Sequence, residues 1–267
     1  MILASATPVS LLATMVAAVC YAWPAVRGMD MPDKAARRWV MVAWFAHAIA
    51  LALGLGGGDA RFGFAPALSM TVWLVAAVYA VEAQFFPQIQ TRWALSSVGV
   101  VAVLLAEWFP GAHMTPNSSG WLALHLVLGV ACYGLFAAAV MHAWLMGRAE
   151  SSIRLAKDPH TGIPLLTLER LTYRLATAGF GLLTLTLVAG WLFSDVLYGP
   201  GHVWVWNHKT VFAVLAWMVF ASLLAGRRFA GWRGKRATRV LYAGATLLLL
   251  AYVGSRFVLE VVLGRAT

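Results

Sequence analysis

The chain has 267 residues, of which 61% are hydrophobic and only 11% are charged, and its formal net charge is +10. A soluble domain carries roughly 25% charged residues, so this composition excludes an ordinary soluble fold and indicates a polytopic membrane protein. The basic residues fall in short blocks between long apolar runs, which is the pattern of the positive-inside rule. A nucleic-acid partner is therefore not expected.

Eight apolar segments approach or exceed the roughly 20 residues that a helix needs to cross a bilayer. In chain order they are 6–26, 39–56, 66–86, 93–109, 121–146, 175–195, 209–226 and 239–260. The first charge of the chain is Arg27, so the first segment lacks a basic n-region and is expected to be a retained helix. The sequence predicts an all-α bundle of eight transmembrane helices, forming a single domain over 1–267.

The basic residues are divided unevenly between the two sides of this bundle. One side carries only Arg61, Lys209, Arg256 and Arg265. Because positively charged loops stay in the cytoplasm, the other side is predicted to be cytoplasmic and both termini to lie outside. Within the cytoplasmic stretch before the sixth span, TLERLTYR is expected to begin an amphipathic interfacial helix. The cytoplasmic blocks lie at 27–38, 92, 148–174 and 227–239.

Three histidines are placed by this topology where they could carry chemistry. His125 lies one turn into the fifth span from its outer end, His208 at the outer mouth of the seventh span, and His47 near the middle of the second. A histidine inside a bilayer is costly unless it is partnered, so each is a candidate ligand. The alternative is a core histidine bonded to a neighbouring helix, and for His47 both interpretations stay open.

Three tryptophans, Trp121, Trp204 and Trp206, lie at the outer level that His125 and His208 share. Trp204 and Trp206 are two residues apart, so their side chains would face the same way in an extended loop. The alternative is the aromatic belt that membrane proteins carry at the bilayer interface without any ligand. The 13 Trp of the chain favour a belt, whereas the spacing favours a shared site.

Two neutral imidazoles among flat aromatic rings are suited to bind haem. Imidazole ligates the iron axially, and apolar rings cover the macrocycle. Lys209 and Arg256 are the outer cations that would pair with the propionates. The chain has no cysteine motif for covalent haem attachment, so we predict non-covalent haem b with His125 and His208 as axial ligands. Carboxylates near the outer ends of two spans leave a zinc site open as an alternative.

Four stretches of the chain carry a family resemblance. They are TLERLTYRLATAGFGLLTLTLVAGWLF, VWVWNHKTVFAVLAW, GWRGKRATRVLYAGATLLLLAYVGSR and WLALHLVLGVACYGLFAAA. These stretches resemble the cytochrome c assembly proteins of the CcsA, CcmC and HemX type, and most closely their short YpjD-type inner-membrane members. The resemblance implies a multi-pass protein of the bacterial inner membrane that handles haem at its outer face. It also implies that His125 matches the outer histidine before a Trp-rich loop, His47 an early-span histidine, and Trp204 and Trp206 the end of that loop.

The sequence departs from the family pattern at the end of the Trp-rich loop. The family reads Trp-Asp-Pro-Lys-Glu there, whereas this chain continues from Trp206 through Asn207, His208 and Lys209 to Thr210. The histidines that the family carries after the seventh span and in the last span are also absent. His208 would therefore have to replace the missing outer ligand. The shortened loop argues against full haem-lyase activity.

Two functions of different classes follow from the resemblance. The first is presenting or relaying haem outside the membrane, with other cytochrome c assembly proteins or an apocytochrome as partners beside haem and membrane lipid. The second is an accessory or regulatory membrane subunit, tied to tetrapyrrole synthesis or to a membrane complex, whose working part is the basic cytoplasmic surface. A small-solute transporter is a weaker alternative, because intramembrane charges other than Glu82 are few.

Overall fold

The protein is helical along almost its whole length. The computed structural model describes residues 8–27, 30–56, 60–85, 92–113, 120–154, 165–195 and 206–264. Each predicted apolar segment coincides with a long helix in these ranges. The helices are α1 (Pro8–Arg27), α2 (Asp33–Leu55), α3 (Phe64–Phe85), α4 (Arg92–Trp108), α5 (Gly120–Arg154), α6 (Leu165–Leu192), α7 (His208–Ala230) and α8 (Gly234–Val262).

Seven of these helices are long and apolar enough to cross a membrane, and the apolar part of α4, Ala94–Trp108, is shorter. An all-α polytopic membrane protein was predicted, and that fold class is confirmed. That the chain crosses the membrane eight times and that both termini lie outside stay predictions. Among the described residues, one antiparallel pair of short strands accompanies the helices, β1 (Arg61–Phe62) and β2 (Ala112–His113).

Two helices extend beyond the segments that hydropathy marks. α5 continues to Arg154, and α6 begins at Leu165, so TLERLTYR forms the first turns of the sixth span itself. No proline interrupts either helix, so nothing in the backbone ends them at the apolar boundary. Threonine hydroxyls along α6 bond to carbonyls four residues earlier, which satisfies them without water. The donors are Thr172, Thr177, Thr184 and Thr186.

The chain divides into two compact units, Met1–Pro116 together with Arg256–Thr267, and Asn117–Ser255. In the first unit α1 packs against α2 and α4, and α3 packs against α4. Small residues allow this close approach, because a Cβ on Gly99 would lie only 3.0 Å from the ring of Tyr21. α2 and α3 are joined by the stacked indoles of Trp44 and Trp73, each of which donates its Nε1 hydrogen to the other's backbone carbonyl at 3.1 Å.

In the second unit α5 packs against α6 and α8, and α7 packs against α6 and α8. The rings of Phe136 on α5 and Phe220 on α7 stack at the centre, with 3.7 Å between centroids and 10° between planes. Two glycines make room for this pair. A Cβ on Gly179 would lie 3.1 Å from the Phe136 ring, and one on Gly244 would lie 2.6 Å from the Phe220 ring.

α8 changes its winding towards its C-terminal end. It is α-helical over Gly234–Leu249 and then takes π-helical turns at Leu250–Gly254 and Val258–Val262. Such turns disturb the regular bonding of the carbonyls around them. The Tyr133 hydroxyl on α5 donates to the Leu248 carbonyl, and the Ser255 hydroxyl donates to two carbonyls of the first π turn at 3.0 Å each. Side-chain hydroxyls therefore stabilise the irregular stretch.

Candidate functional site

The side chain of His125 lies against α6. It stands one turn into α5, which begins at Gly120, and its ring is half-buried. A Cβ on Gly190 of α6 would lie 3.2 Å from Cε1 and 3.7 Å from Nδ1 of the imidazole. Contacts of 3.2 Å to a Cβ are tighter than almost all real ones, so the imidazole occupies space that exists because residue 190 is glycine.

The polar surroundings of this imidazole are sparse. Its polar neighbour is the backbone carbonyl of Thr186, one turn before Gly190 on α6. Nδ1 is buried and forms no well-aligned hydrogen bond with any described residue. The imidazole is thus bonded only weakly within the protein, and a histidine of that kind in an apolar span is a candidate ligand. Of the two ring nitrogens, Nδ1 is the one within 4 Å of the Cβ position of Gly190.

An aromatic pair lies one turn from this histidine, towards the end of the helices. Trp121 precedes His125 by four residues on α5, and residues so spaced share a helix face. The Trp121 ring stacks on Phe193 after the end of α6, with centroids 4.0 Å apart and planes 14° apart. Trp121 is 48% exposed, so one face of the indole remains open. The imidazole and the two flat rings lie at the same end of α5 and α6, and rings of this kind can cover a macrocycle.

His208 and Lys209 open α7 in the same unit. Asn207 caps this helix, and its Oδ1 accepts the Thr210 backbone N–H at 3.0 Å. His208 is exposed, and Lys209 Nζ lies 5.9 Å from the ring centroid of Tyr252 in the first π turn of α8. α7 and α5 share α6 and α8 as neighbours. That His208 and His125 ligate one iron stays a prediction.

His47 lies in the first unit with both ring nitrogens engaged. It is 1% exposed, Nε2 is 2.7 Å from the Ser69 hydroxyl, and Nδ1 is 3.5 Å from the Tyr21 hydroxyl. This is the environment of a bonded core histidine, one of the two interpretations that the sequence leaves open. Arg256 also belongs to the first unit and is half-buried.

The two loop tryptophans were predicted to face the same way. Trp206 is 68% exposed, whereas Trp204 lies outside the described residues. In the described ranges no three His, Cys, Asp or Glu side chains come together as a metal site, so the zinc alternative gains no ligand set there. Sequence reasoning missed Gly190, Thr186 and Phe193. A small residue inside an apolar span is the one available signal for Gly190, and it does not reveal which helix the glycine faces.

These features define the class of the protein, a multi-pass membrane protein with an imidazole and flat aromatic rings at one end of its second unit. The chain belongs to the cytochrome C assembly protein family, whose model matches residues 37–263. The resemblance predicted from the sequence is therefore confirmed. No solved structure matches the chain.

Three relatives illustrate the similarity. The inner membrane protein YpjD of Escherichia coli (strain K12) is 28% identical over 166 residues, which are 61% of this chain and 62% of that protein. The cytochrome c biogenesis protein CcsA of Prochlorococcus marinus (strain MIT 9303) is 38% identical over 87 residues, 33% of this chain and 27% of that protein. An uncharacterized 28.8 kDa protein of Azospirillum brasilense is 29% identical over 266 residues, 95% of this chain and 96% of that protein.

The match to the Escherichia coli relative spans about three fifths of its length, 62%. That relative is named as an inner-membrane protein, and the seven apolar helices described above fit a multi-pass protein of that membrane. The predicted localisation is therefore confirmed.

Proposed function

We propose that this protein handles haem in cytochrome c biogenesis, presenting or relaying it at the outer face of the membrane. The observation that carries the proposal is His125, whose buried Nδ1 lies against α6 without a well-aligned hydrogen bond, in a space made by Gly190. The relative from Prochlorococcus marinus is a cytochrome c biogenesis protein, which supports the same role. The proposal includes eight crossings with both termini outside, and one assembly-type domain over 1–267.

The residues present fit a non-covalently bound haem b. His125 would supply one axial nitrogen, and His208, exposed at the start of α7, would supply the other. Trp121 is open on one face and suited to cover the macrocycle. When bound, haem supplies a redox-active iron, and the part of the chain is to hold and orient it. Further proposed contacts are Trp204 and Trp206, with Lys209 pairing with the propionates.

Absorption spectroscopy tests the proposal. The full chain, purified from membranes in mild detergent, is expected to show a Soret band and to yield a pyridine haemochrome of haem b. Protein purified without haem is expected to gain the same band on titration with haemin. Colourless protein that takes up no added haem would overturn the proposal and favour the accessory-subunit alternative. Co-purification with an apocytochrome or with other assembly proteins then tests the predicted partners.

The close approach at Gly190 yields a specific prediction. In Gly190→Val the added side chain must displace the His125 ring, which now lies 3.2 Å from the position of a Cβ. We expect haem affinity to fall about tenfold or more, equivalent to roughly 1.4 kcal/mol, as measured by haemin titration. The matched control is Gly181→Val on the same helix, because a Cβ there meets nothing within 4 Å. Equal haem affinity in the two variants would contradict the proposed role of His125.

A further inference from the structure

The turn that joins α7 to α8 has a defined backbone. Gly231 adopts the left-handed conformation, with φ of 62°, and ends α7. The Trp232 backbone N–H donates to the Gly226 carbonyl at 3.0 Å, and a Cβ on Gly226 would overlap the Trp232 ring. Glycine is thus required at 226 for packing and favoured at 231 for chain reversal. These contacts define the backbone conformation of the turn.

Two residues of α6 fasten this turn. The Glu169 carboxylate accepts hydrogen bonds from Arg233 Nε and Nη2 at 2.8 Å each, and from Arg227 Nη1 at 2.6 Å. The Tyr173 hydroxyl donates to the Trp232 carbonyl at 2.8 Å. A bidentate pair fixes the orientation of a guanidinium as well as its position. Arg227 and Arg233 are therefore used in holding the turn.

Four further cations project from the same place. Arg228, Lys235, Arg236 and Arg239 are exposed, and none forms an ion pair with another described residue. The guanidinium of Arg236 lies 4.1 Å from the centroid of the Trp232 ring, which orients it. Beside them Phe229 is 84% exposed. The surface combines unneutralised positive charge with an exposed aromatic ring on a rigid support.

The position of this surface indicates what kind of molecule it contacts. It lies at the ends of two helices that are long and apolar enough to cross the membrane, so it faces the headgroup layer. A cavity behind the turn, lined by Glu169, Tyr173 and Thr238, has a volume of about 20 Å³. That volume holds about one water molecule and no phosphate. A phosphate does not fit in this cavity, whereas the exposed cations lie on the outer side of the turn.

We propose that the α7–α8 turn is a binding site for the headgroup of an anionic phospholipid. Arg228, Lys235 and Arg236 would contact the phosphate, and Phe229 would enter the boundary between headgroups and acyl chains. The role of Glu169 and Tyr173 is to hold the turn in a binding geometry. This site does not involve haem, so a test that fails here leaves the proposed function unaffected.

Lipid selectivity in vesicles tests the proposal. The full chain is reconstituted in phosphatidylcholine vesicles, and the association of spin-labelled phosphatidylglycerol is compared with that of spin-labelled phosphatidylcholine. We expect clear selectivity for phosphatidylglycerol in the wild type. The triple variant Arg228→Gln, Lys235→Gln and Arg236→Gln is expected to lower this selectivity about fivefold or more, because the phosphate loses its cations.

The matched control removes the same charge elsewhere. Lys34→Gln, Arg37→Gln and Arg38→Gln neutralise three exposed cations near the start of α2, and selectivity is expected to change less than twofold. Equal losses in the two triple variants would overturn the proposal, because they would show diffuse attraction to total charge. So would a wild type without selectivity for phosphatidylglycerol.

One variant tests the rigid support without changing charge. Tyr173→Phe removes the hydrogen bond to the Trp232 carbonyl and is expected to lower selectivity about twofold, with helix content unchanged by circular dichroism. The triple variant Arg228→Lys, Lys235→Arg and Arg236→Lys keeps all three charges and is expected to retain most of the selectivity. Loss of selectivity there with intact helix content would overturn a phosphate site built on charge.

Discussion

His125→Ala is expected to abolish haem binding. The variant removes the imidazole that lies against Gly190 of α6 and that we propose as a ligand of the haem iron. Purified protein should lack the Soret band, and haemin titration should show affinity at least a hundredfold below that of the wild type. A hundredfold change corresponds to about 2.7 kcal/mol.

The controls for this prediction are other histidines. His113→Ala changes an exposed histidine on β2 in the first unit, and the spectrum is expected to stay that of the wild type. His208→Ala is expected to keep some haem but to alter the position of the bands, since the second axial ligand would change. An unaltered spectrum in His208→Ala, together with complete loss in His125→Ala, would contradict His208 as the second ligand. A normal Soret band in His125→Ala would remove the basis of the proposed site.

Phe220→Ala is expected to destabilise the second unit strongly. Phe220 and Phe136 are each 1% exposed, their rings stack at 3.7 Å, and Gly244 leaves no side chain that could fill the space. Truncating a buried phenylalanine costs about 3–5 kcal/mol, because the removed ring leaves a cavity that its surroundings only partly close. In a membrane protein this loss is mainly one of packing contacts, since lipid is as apolar as the core.

Unfolding in mixed micelles, followed by circular dichroism, measures this effect. Phe229→Ala is the matched control, because the same truncation at an 84% exposed side chain leaves no cavity and should change stability by less than about 0.5 kcal/mol. If both variants unfolded at the same denaturant fraction, the stacked pair would not be the centre of the second unit. Haem titration of Phe220→Ala should show reduced occupancy, because α5 and α7 both contribute to this core.

The two ends of the second unit have different chemistry. The end where α5 begins and α6 ends carries His125 with its aromatic pair, and the end where α7 passes into α8 carries the Glu169 network. A neutral imidazole among apolar rings suits a porphyrin. The exposed cations on the turn that this network holds suit an anionic headgroup. Variants at one end should therefore leave the readout of the other unchanged.

Hydropathy alone determined that this is a polytopic helical membrane protein and where its helices lie. Long apolar segments admit few structures in a bilayer, because every backbone group must be bonded within the chain. Helix ends were located less closely, since the seventh segment was predicted over 209–226 and α7 continues to Ala230, where Gly231 ends it. The sequence motifs were enough to identify the family, and they indicated His125 and the tryptophans as candidate site residues. They could not show where α5 ends or where α6 begins, because a helix continues past its apolar part when no proline stops it.

Only the tertiary structure decided which side chains meet. It set His125 against Gly190, bonded His47 to Ser69 and Tyr21, and brought Glu169 to arginines 58 and 64 residues further along the chain. The physical reason is that a helix in lipid is apolar on all sides, so its sequence carries little periodicity to show which face turns inward. Glycines and hydroxyls set that rotation through close packing, and packing depends on the neighbouring helix as much as on the residue itself.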